Sequence, residues 1–353
     1  MLSGCAVARA ENSSWKLALA GALAASLALA QANHPQALAE ANLGVEQARQ
    51  DHFGAAIEHY QRAAQLDPDL PGIYLDLGLA YFKSGAFREA LAAFQKEDAR
   101  APSDRLKTLL AMGHFGLNEY KEAADILRPI ASRQTDNPEL RYLLAKCYLW
   151  SGQYDESKKI FRDLLTHDPN SAPVHMLLGE AYDADDRTPE AIAEFHAAIA
   201  ADPKHSQAHF GLGYLFWKEK RYAEAEAEFR EELKLVPDDP KSLALLADIL
   251  LKNGVTQEAE ADLKRAVQGD DRFALAHVDL GTIYAEQKNT SAALDQFQAA
   301  IKYDPERYDA HYKLARLYRE LGRNAQADAE FAIVAKLHAQ QKPAPLMRVS
   351  GPE

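Results

Sequence analysis

Apolar and small residues recur along most of the chain with a period of 34 residues. From Ala37 to Gln341 the sequence contains nine copies of one unit, and only the step from the second copy to the third is 33 residues. Within a unit the recurring positions are 4, 7, 8 and 11, followed by 20, 24 and 27. Each of these two sets places its side chains on one face of an α-helix. The pattern therefore predicts an all-α fold built from nine helix–turn–helix units.

The residue types at these positions indicate how the two helices of a unit pack. Position 7 is leucine in all nine units, position 8 is glycine or alanine, and position 24 is aromatic in seven units. Small residues allow the helices to approach closely, and the large side chains fill the remaining space. Turn formers such as Ser84-Gly85 and Asn253-Gly254 separate the helices. Because one helix pair cannot bury its apolar face alone, each unit must stack on its neighbours.

This pattern resembles the tetratricopeptide repeat family over about 305 of the 353 residues. The family's signature of leucine, glycine or alanine, tyrosine, alanine, phenylalanine and proline recurs in nearly every unit. The resemblance implies a right-handed superhelical solenoid whose first helices line a concave groove that binds a protein or peptide. The repeats are predicted at about 37–70, 71–103, 104–137, 138–171, 172–205, 206–239, 240–273, 274–307 and 308–341, after a linker at 31–36 and before a tail at 342–353.

The groove face of the first helices carries the candidate binding residues. Positions 2, 5, 9 and 12 point roughly 130° away from the packing stripe of the helix. Two apolar clusters occur on this face, and the fifth repeat between them is acidic, with Glu180 and Asp183. The same positions also contact the next repeat, so two roles remain open, partner binding and solenoid core. The predicted partner-binding residues are Leu75, Leu79, Phe82, Met112, Phe115, Tyr142, Phe210, Tyr214 and Trp217.

Two known subtypes of the family do not fit the sequence. Members that clamp a peptide carboxylate carry lysine, asparagine and arginine on this face. Only one of the five matching positions here is basic, and the five are Ala41, Val45, Asp76, Arg105 and Leu109. The asparagine ladder of the glycosyltransferase superhelices is also missing at position 6. We therefore expect side-chain pockets, rather than repeated backbone clamps, to hold a bound chain.

Four histidines share one position of the repeat. His175, His209, His277 and His311 all occupy position 4. A metal site would need ring nitrogens about 2.1 Å from the ion, whereas packed helices lie about 8–10 Å apart. The spacing therefore favours a packing role over a metal site or a pH response.

Composition and the absence of known motifs exclude several classes of function for this protein. The chain has 40 Lys and Arg against 52 Asp and Glu, a formal charge of −12, and no basic cluster, which argues against nucleic-acid binding. It lacks the common hydrolase, metalloprotease and phosphate-loop motifs, so we expect no enzymatic activity, cofactor or metal. The prediction is a protein-binding scaffold.

Two other functions remain open. One is an accessory subunit that locates a catalytic partner in an enzyme complex. The other is self-assembly through the last repeat, unless Leu346, Met347 and Val349 fold back over its exposed end.

The first thirty residues predict export. The apolar run Leu17–Ala30 follows Arg9 and Lys16 and ends in a small-x-small pattern, as a bacterial signal peptide at 1–30 does. A membrane anchor is the alternative, but the run falls short of the roughly 20 residues that span a bilayer. A periplasmic or secreted location follows from this prediction, with no membrane span in the mature chain.

Overall fold

Among residues 33–339, which the computed structural model describes, every regular element is an α-helix. The predicted signal peptide and the tail at 342–353 lie outside the described residues. None of the helices between 33 and 339 has the length and apolar character needed to cross a membrane.

The helices form two compact units, the first ending at Ser151 and the second beginning at Gly152. The first unit contains α1 (33–49), α2 (Phe53–Leu66), α3 (Ile73–Lys83), α4 (Phe87–Asp98), α5 (Asp104–Gly116), α6 (Tyr120–Ala131) and α7 (Pro138–Trp150). The second contains α8 (Tyr154–His167), α9 (Ala172–Ala184), α10 (Thr188–Ala201), α11 (Ala208–Lys218), α12 (Tyr222–Leu235), α13 (Pro240–Lys252), α14 (Thr256–Gly269), α15 (Ala274–Glu286), α16 (Thr290–Tyr303), α17 (Tyr308–Glu320) and α18 (Asn324–Ala339).

The prediction of an all-α repeat solenoid is confirmed. Odd-numbered helices are the first helices of the repeats and even-numbered helices are the second. From α2 to α7, and again from α8 to α18, each helix packs against the next one along the chain. In the second unit the first helices also contact one another, α9 with α11, α11 with α13, α13 with α15 and α15 with α17. They therefore form a continuous layer, which we call the first-helix face.

Contacts between positions 8 and 24 hold the two helices of a repeat together. A Cβ added to Gly78 would lie 2.5 Å from the ring of Phe94, and one added to Gly213 would lie 2.9 Å from the ring of Phe229. Both rings are fully buried. The small residue at position 8 is thus a steric requirement of the large one at position 24, as the sequence pattern predicts.

Candidate functional site

In the first unit the predicted binding residues remain partly exposed after the helices have packed. We call the set Leu75, Leu79, Phe82, Met112, Phe115 and Tyr142 the first surface, and all six side chains are half-buried. Leu75, Leu79 and Phe82 pack from above onto a buried cluster that includes Phe94 and Leu106. These three side chains therefore have the core on one side and solvent access on the other.

Three aromatic rings of this unit surround a lysine. The ammonium group of Lys146 lies 5.5 Å from the ring centroid of Phe115, 5.6 Å from that of Tyr142 and 5.1 Å from that of Trp150. The rings of Phe115 and Trp150 are themselves 5.2 Å apart. A cation over the face of an aromatic ring is stabilised by the ring quadrupole. The structure thus brings α5 and α7 together around one positive charge.

In the second unit the predicted residues are more deeply buried. Phe210 is 2% exposed and Tyr214 is 7% exposed, whereas Trp217 is half-buried. Their rings stack along α11, with centroid distances of 6.3 Å between Phe210 and Tyr214 and 6.1 Å between Tyr214 and Trp217. We call these three residues the second surface. Of the two roles that the sequence left open, the structure places Phe210 and Tyr214 in the solenoid core; their binding of a partner stays a prediction.

Charged groups adjoin the second surface. The indole Nε1 of Trp217 donates a hydrogen bond of 2.6 Å to Oδ2 of Asp248. The ammonium group of Lys218 lies 5.8 Å from the Tyr214 ring centroid and donates to Oδ1 of Asp183 at 2.6 Å. The aromatic strip of α11 is therefore joined to acidic residues on α9 and α13.

One buried acid on the first-helix face has an unusual environment. Asp279, at position 6 of the eighth repeat, is 9% exposed, and its Oδ2 has no hydrogen-bond partner among the described residues. Burial, and to a smaller extent the charge of Asp248, raise the pKa of this carboxyl to about 7, while Lys313 and Arg307 act in the opposite direction. The sequence indicated only that position 6 lacks the family's asparagine ladder. The signal available was an acid, Asp279, at this position of the eighth repeat.

Sequence reasoning also missed the residue that fixes the start of α11. One carboxylate oxygen of Glu232 accepts the backbone N–H of Gln207 at 2.8 Å and the other accepts that of Phe210 at 3.2 Å. Burial raises the pKa of Glu232, and the two backbone N–H groups act in the opposite direction. Because the first N–H groups of a helix lack partners within it, this carboxylate caps α11 from α12. It thereby fixes the backbone that carries the second surface.

The histidines at position 4 join the helices of a repeat. His175 and His209 contact the carboxylates of Glu194 and Glu228 through Nδ1, at 2.6 Å and 2.7 Å. In the ninth repeat His311 contacts Glu330 in the same way at 2.5 Å. Every such partner stands at position 23. The position-4 histidines are thus packing residues that also form polar contacts between helices.

In two other repeats, positions 4 and 23 carry different residue types. His277 meets the side-chain amide oxygen of Gln296 at 2.7 Å, so its partner carries no charge. In the first repeat the two residue types are exchanged, with Glu40 at position 4 and His59 at position 23, 2.7 Å apart. The pairing therefore belongs to the two positions rather than to the histidine alone.

Metal and thiol chemistry find little support in the part of the chain that the structure describes. Residues 33–339 contain no group of three or more His, Cys, Asp or Glu side chains placed to hold a metal ion. Cys147 is buried, and this burial raises the pKa of its thiol to about 12. The thiolate form, which carries cysteine reactivity, is therefore scarce at neutral pH.

Three family models, each describing the tetratricopeptide repeat, match the sequence. They cover residues 49–85, then 114–181, and then 176–240, 244–301 and 279–341. A comparison with curated protein sequences found no match.

Three solved structures align with this chain at low sequence identity. The APC/C hetero-tetramer Cut9–Hcn1 aligns with a TM-score of 0.57 at 14% identity, over 84% of this chain and 72% of that chain. YrrB, described as a TPR protein with an unusual peptide-binding site, aligns with a TM-score of 0.41 at 21% identity, over 51% of this chain and 92% of that one. MamA aligns with a TM-score of 0.39 at 18% identity, over 46% and 95%. With its paired helices, its 34-residue period and these family matches, the chain belongs to the tetratricopeptide repeat family.

Proposed function

We propose that this protein is a non-enzymatic scaffold that binds a partner protein through the first helices of its repeats. The partner supplies an extended segment or an amphipathic helix, whose apolar side chains insert between those of the first surface. The observation that carries this proposal is that six apolar and aromatic side chains on α3, α5 and α7 stay half-buried after the helices have packed. Aromatic residues and methionine are enriched at protein interfaces, and aromatic residues are enriched among the residues that carry most of the binding energy.

The two surfaces contribute differently in this proposal. The first surface offers a wide apolar contact area, because none of its six side chains is fully buried. On the second surface only Trp217 reaches solvent appreciably, since Phe210 and Tyr214 are buried beside it. Its hydrogen bond to Asp248 fixes the indole ring and so reduces the entropy lost on binding.

A substitution on α5, which lies between α3 and α7 along the chain, tests the proposal. Cross-linking and mass spectrometry of the native complex first identify the partner, whose affinity is then measured by calorimetry with purified proteins. Met112→Lys places a charge on the first surface, and we expect it to weaken binding by about tenfold or more. The long lysine stem can still cover the core beneath it, so the thermal melt should stay close to that of the wild type.

Gln95→Lys is the matched control, because Gln95 is exposed on the second helix α4 and the new charge is the same. We expect this variant to bind like the wild type. If Met112→Lys also binds like the wild type and melts normally, the first surface is not the binding site.

We also propose that the protein is exported, on the strength of the signal-peptide pattern at 1–30. Fractionation of the native host, followed by mass spectrometry of the N-terminus, tests this location. A chain that begins at Gln31 outside the cytoplasm is the expected result, and a full-length cytoplasmic chain would contradict it.

A further inference from the structure

We infer that Asp279, together with Asp248, is the acceptor site for one lysine or arginine side chain of the bound segment. This inference rests on the proposed function and specifies the chemistry of the partner. The site lies in the second unit, on the first-helix face, where α13 and α15 meet.

Among the buried acids of this unit, Asp279 has one carboxylate oxygen, Oδ2, that finds no hydrogen-bond partner among the described residues. Glu232 accepts two backbone N–H groups, and Asp183 accepts the ammonium group of Lys218. A buried acceptor that has lost water and gained no donor destabilises the folded chain. A donor brought by a ligand would remove this penalty.

The charged groups that face Asp279 come from both neighbouring first helices. Asp248 and Lys252 belong to α13, Lys313 belongs to α17, and Arg307 directly precedes α17. Two of these cations are already paired, Lys252 with Asp248 and Arg307 with Asp309. None of them donates a hydrogen bond to the buried Oδ2 in the described part of the chain.

The type of donor follows from the two carboxylates. Asp248 and Asp279 repel each other when both are ionised, and this repulsion helps to raise the pKa of Asp279 to about 7. A neutral donor would satisfy the oxygen but leave the repulsion in place. A cation both donates to the oxygen and offsets the repulsion between the two carboxylates. Its attraction to them is strong in a poorly solvated site.

The site also continues the second surface. Asp248 accepts the indole N–H of Trp217, which stacks on Tyr214. A segment that lays an apolar side chain against Trp217 would therefore bring a neighbouring basic side chain to the two carboxylates. The partner segment is accordingly both apolar and basic.

The ligand-free protein gives a first test that separates a ligand-binding role from a structural one. Asn has the shape of a protonated Asp, so Asp279→Asn keeps the packing and removes the titratable charge. A raised pKa in the folded state means that the stability contribution of Asp279 is fully present below its ordinary pKa of 3.8 and is lost as the pH rises through about 7. We therefore expect the melting temperatures of the variant and the wild type to agree at pH 4 and the variant to be the more stable at pH 8. A variant that is less stable at both pH values would indicate a structural role and overturn the inference.

The second test uses a random-peptide phage library panned against the wild-type protein and against Asp279→Asn. We expect the wild type to select peptides with a Lys or Arg beside an aromatic residue, and the variant to lose that basic preference. Selected peptides are then resynthesised with lysine replaced by norleucine and arginine by citrulline. The basic peptide should bind the variant roughly tenfold or more weakly than it binds the wild type, since desolvated charge pairs contribute strongly, while the neutral peptide should bind both equally.

Asp295→Asn is the matched control, because Asp295 is an exposed acid on the second helix α16. Unchanged binding by this variant supports the assignment. Peptides without a basic preference, or equal affinity of the basic peptide for Asp279→Asn and the wild type, would overturn the inference and leave the proposed function standing. Failure of the wild type to bind any peptide, together with normal partner binding by Met112→Lys, would overturn both.

Discussion

At the scale of single residues, Gln207 has a strained backbone conformation that its neighbours stabilise. Its φ of 78° lies in the left-handed region that favours glycine, and Gly72 occupies the same position of the second repeat with a φ of 76°. The backbone N–H of Gln207 donates to the buried carboxylate of Glu232, which holds the residue in this conformation. The repeat pattern gives no sign of this strain, because position 2 varies freely in sequence.

Gln207→Gly should therefore stabilise the protein. Glycine adopts a positive φ without steric penalty, although it gains freedom in the unfolded chain, so we expect a net increase of roughly 1 kcal/mol or less in the free energy of unfolding. Chemical denaturation measures this change. Gln207→Ala serves as the control, since it shortens the side chain but keeps the Cβ. A glycine variant no more stable than the alanine variant would show that position 207 carries no strain.

At the scale of secondary-structure elements, the contact between His209 and Glu228 makes the pairing of α11 and α12 depend on pH. The hydrogen bond that Nδ1 of His209 donates to the carboxylate of Glu228 raises the pKa of His209, because the carboxylate stabilises the protonated ring. Glu231 and Glu232, also on α12, act in the same direction. A raised histidine pKa means that the stability contributed by His209 is fully present below its ordinary pKa of about 6.5 and is lost as the pH rises through the folded-state pKa.

Glu228→Gln tests this pH dependence by creating a histidine–glutamine pair, which already occurs in another repeat of this protein. The amide copies the His277–Gln296 contact of the eighth repeat and removes the charge that favours the protonated ring. We expect the pKa of His209, followed by NMR, to fall in the variant. The melting temperature should then decline less than that of the wild type between pH 6 and pH 8. An unchanged His209 pKa would show that Glu228 does not control the titration.

At the scale of the whole molecule, burial of the position-24 ring depends on the repeat that follows it. Tyr60 of the first repeat is 3% exposed and Phe297 of the eighth is 2% exposed. Phe297 packs in one cluster with Leu314 and Leu317 of the next repeat. In the ninth repeat the equivalent Phe331 is only half-buried among the described residues. The same residue at the same position of the repeat therefore contributes differently along the array.

Phe297→Ala and Phe331→Ala form a matched pair for this difference. Removing a fully buried phenylalanine typically costs about 3–5 kcal/mol, so we expect Phe297→Ala to fall in that range. Phe331→Ala should cost roughly half as much, because part of its ring already contacts solvent. Denaturant unfolding followed by circular dichroism gives both values. Equal losses would contradict the idea that position in the array sets the contribution.

The sequence by itself determined the repeat, the helices and the packing within each helix pair. These features depend on residues close in the chain, so the leucine, the small residue and the aromatic residue at positions 7, 8 and 24 suffice to predict them. Even the pairing of positions 4 and 23 could be inferred from the sequence, because the first repeat exchanges the two residue types, with Glu40 at position 4 and His59 at position 23. The candidate binding residues lie on first helices, as the pattern predicts, and their role in binding stays a prediction.

Only the tertiary structure decided which of those residues are exposed and which acids are unusual. Phe115 and Phe210 both stand on the predicted groove face, yet one remains half-buried while the other is almost completely covered. The cap that Glu232 places on α11, and the buried oxygen of Asp279, likewise depend on how neighbouring helices meet. Burial and pKa are set by distances to atoms far apart in sequence and by the exclusion of water, and no periodic pattern encodes either.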